Sequence, residues 1–186
     1  MTDFPRLVAA LHQSGVRFIV VGGAAATAHG SARLTLDLDV VYERSQENIN
    51  RLVSALLPLK PYLRGAPQGL PFVFDAHTIQ RGLNFTLTTD AGSIDLLGEI
   101  TGGGGWDALM SHTIEISLFG RATRVLDLPH LIHVKRAAGR PKDLDALAEL
   151  EVLLEEQQRG IYLSVAPLTV GTRRNNTSRT APVQRY

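Results

Sequence analysis

The chain has 186 residues, 44% of them hydrophobic, with 19 Lys plus Arg against 18 Asp plus Glu, enough for one compact domain and short for two. A net charge of +1 excludes a strong overall field toward nucleic acid or acidic lipid, so any anion site is local. The absence of Cys excludes disulfides, thiolate metal sites and a cysteine nucleophile. No stretch approaches the roughly 20 apolar residues of a membrane span, and the opening M-T-D-F-P-R lacks the basic start and apolar run of a secretory leader; the expectation is a cytoplasmic protein with no membrane contact.

In chain order, Phe4, Leu7, Val8 and Leu11 fall at helical spacing and predict a short amphipathic helix ended by Gly15. Residues 17–21, R-F-I-V-V, predict a strand that stops at Gly22 and Gly23 and gives way to a helix over 24–29. Residues 35–42 alternate as a strand with Asp37, Asp39 and Val41 on one face. Ser45 then caps a helix with Ile49, Leu52, Val53, Leu56 and Leu57 in one stripe. Residues 58–71, rich in proline, predict an irregular connection with at most a short strand. Two hairpins follow, 84–89 with 93–97 and 113–119 with 122–126, then a helix from Asp127 toward Gly139 and a last helix from near Asp143 that stops before Gly160. The expected organisation is one domain over 1–160 with C-terminal helices over 128–158, and a basic tail over 161–186. Residues 167–186 hold four of the 19 basic residues and no acid, so 15 bases face 18 acids before them, a net −3.

Two aspartates one residue apart in a strand share a face, so Asp37 and Asp39 bring two carboxylates to one site. Taken alone, such a D-x-D is more often an edge strand with both acids in water. Flanked by Leu36, Leu38, Val40 and Val41, however, they sit in a strand apolar enough to be central, where paired negative charge needs a balancing cation. Oxygen-only ligands of this charge suit Mg²⁺ or Mn²⁺. The Gly22-Gly23 corner, which ends fourteen residues before Asp37, lets backbone amides approach a phosphate, yet matches neither the G-x-G-x-x-G nor the G-x-x-x-x-G-K-[ST] pattern. A phosphate-binding turn followed by paired acids is what metal-dependent transfer of a nucleotide requires. Asp95, an acid among apolar strand neighbours, either completes the metal site or takes the proton of an attacking hydroxyl. Arg33 is a candidate phosphate contact and equally a surface ion pair. Arg140 and Lys142 in G-R-P-K-D serve as substrate contacts and as part of a helix joint. The histidines show no metal-site spacing, and Trp106 after Gly102–Gly105 reads as a packing anchor ahead of a base-stacking residue.

The run V-V-G-G-A-A-A-T-A-H-G-S-A-R-L-T-L-D-L-D-V-V resembles the leading motif of the DNA polymerase beta type nucleotidyltransferases, with Asp95 as the late strand acid. Lys135 followed by R-A-A-G-R-P-K-D-L-D-A-L resembles the helical motif of small bacterial AbiEii-like nucleotidyltransferases, some of them toxins of toxin–antitoxin pairs. The resemblance spans residues 16–155, with 44–80 carrying nothing diagnostic. It implies an α/β nucleotidyltransferase fold of the α+β type, with a mixed, mostly antiparallel sheet flanked by helices. It also implies an NTP substrate with Gly22 and Gly23 at its phosphates, and metal ions on Asp37, Asp39 and Asp95. Lys135 would meet the triphosphate and Asp143 would orient it or its neighbours. The acceptor would be RNA, such as a tRNA 3′ end, with an antitoxin protein as partner. A small hydroxylated molecule such as an aminoglycoside, or a protein side chain, is the alternative acceptor; a non-catalytic NTP-binding or partner-binding module is the alternative of another class. Two departures stand out: Gly23 replaces the serine common after the first glycine, and no large RNA-binding helical domain is present.

Overall fold

The computed structural model describes residues 1–67 and 69–165. The expected basic tail lies, from residue 166 on, outside the described residues. In chain order the elements are α1 (Phe4–Gln13), β1 (Phe18–Val20), α2 (Gly22–Ala28), β2 (Asp37–Tyr42), α3 (Gln46–Leu56), β3 (Tyr62–Leu63), α4 (Ala76–Arg81), β4 (Asn84–Thr89), β5 (Gly92–Leu97), α5 (Trp106–Leu109), β6 (Thr113–Leu118), β7 (Arg121–Leu126), α6 (Leu128–Ala138) and α7 (Pro141–Val165). The seven strands form one sheet in the order β3-β4-β5-β2-β1-β7-β6. Only β1 with β7 and β2 with β5 are parallel, so the sheet is mixed and mostly antiparallel, as expected.

The middle of this sheet carries the most apolar strands, because a strand covered on both faces must bury both sets of side chains. Phe18, Ile19 and Val20 of β1 and Leu38, Val40, Val41 and Tyr42 of β2 are all buried, and they join Ile94, Leu96, Val125 and Leu126 in one core. Helix α3 packs against α1 and α4, and α6 packs against α2 and α7.

Capping fixes where several helices begin. Asp3, Ser45, Asp75 and Asp127 each accept a hydrogen bond from a backbone amide three residues on, which satisfies an amide the first turn leaves unpaired. Helix α4 escapes the sequence pattern: only six residues long, it buries a single large side chain, Ile79. The last helix differs from expectation at both ends. It opens at Pro141, whose missing amide costs nothing in a first turn, and it runs through Gly160 to Val165. One interior glycine costs a helix only about 1 kcal/mol relative to alanine, and no proline follows within these residues to stop it.

Asn48 ties this frame together. Fully buried, it accepts the Arg17 amide at 2.7 Å and donates to the Arg17 and Glu43 carbonyls at 2.9 and 2.8 Å, joining the entry to β1, the exit of β2 and α3. Truncation orphans backbone groups with no access to water, each worth about 1–3 kcal/mol. Asn48→Ala is therefore expected to lower the urea-unfolding free energy by about 3 kcal/mol; a loss within error of zero would show that the frame does not need this side chain.

Candidate active site

Strands β2 and β5 are adjacent and parallel, with Asp39 the register partner of Asp95 and Asp37 that of Ser93. Period-two alternation puts all three aspartates on one face. One carboxylate oxygen from each lies within 4.8 Å of the other two. Burial, and then the charges of Asp37 and Asp95, push the Asp39 carboxyl up to about 7, against a hydrogen bond from the Gly23 amide and the nearby Lys142. Burial also raises Asp95, with Asp37 adding to it and Arg64, Lys142 and Arg140 holding it back.

The glycine corner serves this cluster directly. Gly22 has φ +62°, and a Cβ there would stand 1.9 Å from Asp39 Oδ2, so any side chain would displace the carboxylate. A Cβ at Gly23 would stand 2.5 Å from Thr35 Oγ1, the hydroxyl that donates to the Asp37 carbonyl at 3.1 Å. The two glycines thus open α2 itself, two residues earlier than the composition suggests, and they are required by Asp39 and Thr35 whatever they do for a phosphate.

Facing the acids is a cationic wall built on one buried anion. Asp143, 2% exposed in the first turn of α7, receives Lys135 Nζ at 3.2 Å from α6 and Arg140 Nε from the joint before α7. Burial pushes the Asp143 carboxyl up, but the hydrogen bonds from Arg140 and Lys135 outweigh it and hold it below the usual carboxylate range. Gly139, at φ +63°, closes α6 and turns the chain toward α7. A cleft of about 270 Å³ lies between the two sides, lined by Gly22, Asp39, Asp95, Lys135, Arg140 and Lys142 among others.

Of the residues singled out from sequence, Asp37, Asp39, Asp95, Gly22, Lys135 and Lys142 thus gather at or around one cleft, with Gly23 behind Asp39. Two behave differently. Arg33 pairs with Glu149 of α7 at 3.0 Å and donates to the Asp145 carbonyl, so its guanidinium is spent on α7 and does not line the cleft. Asp143 is enclosed by Lys135 and Arg140 and does not itself line the cleft. Trp106 packs partly buried against the core, and His29 donates from Nε2 to the Leu126 carbonyl, 2.8 Å away.

Sequence reasoning missed Arg64. It follows β3, and its amide donates to the carbonyl of Thr86, the β4 register partner of Asp95. Its Nη1 lies 3.1 Å from Asp37 Oδ2 and its Nη2 bonds Asp95 Oδ1. No local signal marks it, because its place depends on a two-residue strand pairing across β4. The donor set of the three acids fits a hard divalent cation such as Mg²⁺ or Mn²⁺: all ligands are oxygens, and the negative charge exceeds what the protein supplies in compensation at Asp39.

No protein-family model and no curated protein sequence matches the chain. Among solved structures it is similar to a Thermotoga maritima protein described as a nucleotidyltransferase, at 13% identity over 86% of this chain and 89% of that one, with a TM-score of 0.46. It is also similar to the antibiotic-resistance factor ANT(2″)-Ia in solution, at 16% identity over 86% and 91% with a TM-score of 0.48. A crystal structure of ANT(2″)-Ia with adenylyl-2″-tobramycin matches at 16% over 84% and 95%, with a TM-score of 0.47. Among the described residues no helix is long and apolar enough to cross a membrane.

The shift of Asp39 has a measurable consequence without any ligand. Its folded carboxyl titrates near 7 against an ordinary 3.8, so between those values the folded state holds a proton the unfolded state has lost, and stability falls as pH rises from about 4 to about 7. In metal-free buffer Asp39→Asn is expected to melt higher than wild type at pH 8, with the gap closing by pH 4.5. An equal gap at both pH values would rule out this origin.

Proposed function

We propose that the chain is a divalent-metal-dependent nucleotidyltransferase that moves a nucleoside monophosphate from an NTP to a hydroxyl acceptor and releases pyrophosphate. The observation that carries the reading is the pairing of an acidic cluster with a cationic wall across one cleft: three carboxylates within 4.8 Å on β2 and β5, facing Lys135, Arg140 and Lys142. Acids alone repel a triphosphate and cations alone give it no reaction centre. Together they separate the tasks of holding charge and of presenting the phosphorus to be attacked.

Asp37, Asp39 and Asp95 would hold Mg²⁺ or Mn²⁺, which when bound offsets the charge of the reacting phosphate and lowers the proton affinity of a nearby hydroxyl. Lys135 and Lys142 grip the triphosphate, with Lys135 aimed by the buried Asp143. Arg140, bonded to the same carboxylate and more exposed, closes the outer end of that grip. The acceptor oxygen forms its bond to the α-phosphorus as the bond from that phosphorus to the pyrophosphate oxygen breaks. The hydroxyl proton passes to a carboxylate, and Asp95, beside Asp39 on the neighbouring strand, is placed to take it. The Gly22-Gly23 corner lets the Asp39 carboxylate close against the backbone, where the Gly23 amide donates to it.

For the acceptor we propose an RNA hydroxyl, a tRNA 3′ end foremost, within a toxin that an antitoxin protein restrains; this follows the AbiEii-like resemblance of the Lys135 to Leu147 stretch. A small hydroxylated molecule such as an aminoglycoside is the competing acceptor. The test incubates the protein with Mg²⁺, each labelled NTP in turn, and either total tRNA or a set of aminoglycosides. Label is expected on tRNA with at least one NTP, and Asp39→Asn should abolish it. Label on an aminoglycoside alone would overturn the RNA reading, and no transfer with any acceptor the enzymatic one.

The anchoring of the cationic wall makes a separate claim. Asp143→Asn leaves Lys135 and Arg140 without their shared anion, so the KM for NTP should rise about tenfold with a smaller fall in kcat. A fall in kcat alone, in a variant that melts like wild type, would place Asp143 in the chemical step instead.

A further inference from the structure

We propose that Arg64 is the resident counter-ion of the three-aspartate cluster, a guanidinium gate that a divalent cation must displace in order to bind. The inference rests on the metal-site reading above and adds to it how the site is kept in the absence of metal.

The guanidinium bridges the two strands, one nitrogen on Asp37 of β2 and the other on Asp95 of β5. A hard cation would need oxygens of these same carboxylates at about 2.0–2.1 Å for Mg²⁺. The fork occupies the space such an ion requires, and its positive charge would stand against the ion at contact range. Arginine and metal are therefore alternatives at Asp37 and Asp95. Asp39, deeper and bonded by the Gly23 amide, receives no arginine hydrogen bond among the described residues, so the gate covers two ligands of three.

The surroundings of Arg64 suit a side chain that leaves. It sits at the rim of the sheet just past the two-residue strand β3, and its side chain is 31% exposed. The next residue, Gly65, has φ +76° and open space where a Cβ would stand. The side-chain hydrogen bonds Arg64 makes among the described residues all go to the two acids, so a rotamer change frees it without disturbing the core. Once displaced, a planar fork of donors beside a metal site has a natural new partner in a phosphate group. Metal arriving with a triphosphate gives the displaced arginine somewhere to go, whereas metal arriving alone does not. The gate thus disfavours a bare ion and favours the metal–nucleotide pair.

The test is binding of Mn²⁺ alone, followed by calorimetry and by the electron paramagnetic signal of free Mn²⁺, in wild type, Arg64→Met, Arg64→Gln and Arg64→Lys. Removing the gate should tighten Mn²⁺ binding roughly tenfold in the Met and Gln variants, while Arg64→Lys, which keeps the charge, should stay near wild type. Adding pyrophosphate should tighten wild-type binding and narrow the difference. A gain in affinity is not something a misfolded variant produces, and two neutral replacements guard against one that fails to fold. Equal affinity in wild type and both neutral variants, with Asp39→Asn losing the ion, would overturn the gate and leave the metal site standing. No Mn²⁺ binding in any of the proteins would overturn the metal site and the gate with it.

Discussion

Backbone pairing holds like charges together in this protein. The ladder between β2 and β5 sets Asp39 beside Asp95, and the two-residue repeat of β2 brings Asp37 to the same face. The side chains have no say in this: to separate, the acids would have to slip the register of two central strands, which would turn Leu38, Val40, Ile94 and Leu96 out of the core. The hydrophobic core therefore bears the repulsion of the site. Such repulsion in a partly buried setting is tolerated only if a cation answers it or a carboxyl stays protonated, and both responses are visible, in Arg64 across Asp37 and Asp95 and in the high proton affinity of Asp39.

The opposite wall of the cleft reverses the arrangement. There a single buried carboxylate, Asp143, collects Lys135 and Arg140 from α6 and the α6–α7 joint. Two cations brought together by an anion between them are held in place at a distance from the three acids, with Lys142 on the same wall. The proline that opens α7 and the glycine that closes α6 keep that joint short. The cleft thus presents fixed charges of both signs, arranged before any ligand arrives, which is how a protein lowers the reorganisation a charged reaction demands.

Much of this was legible in the amino-acid sequence, and the limits have physical causes. The three acids, the glycines and the Lys135 motif carry local signals: alternation, a strand-to-helix corner, and a helix joint with proline. What alternation cannot show is which strands lie side by side, so the convergence of Asp95 on Asp37 and Asp39 was an expectation until the parallel pairing of β2 and β5 supplied it. Arg64 lay outside reach for the same reason, its position depending on a two-residue strand in a proline-rich stretch. Of the two readings open for Arg33, the structure shows the ion pair, because closeness in sequence to Asp37 is not closeness in space: the chain between α2 and β2 carries it to Glu149 of α7. The glycines were read as a phosphate cradle, yet the 1.9 Å approach of a Gly22 Cβ to Asp39 gives them a prior structural duty that no sequence pattern announces.

The most direct measurement is a crystal structure of the protein grown with Mn²⁺ and a non-hydrolysable NTP, with the ion located by its anomalous scattering. Metal binding by the three acids predicts a peak bounded by the carboxylates of Asp37, Asp39 and Asp95, triphosphate oxygens between it and Lys135, and the Arg64 guanidinium withdrawn from Asp37 and Asp95. Nucleotide bound in the cleft with no ion at the three acids, or an ion held elsewhere with the three acids unchanged, would contradict it.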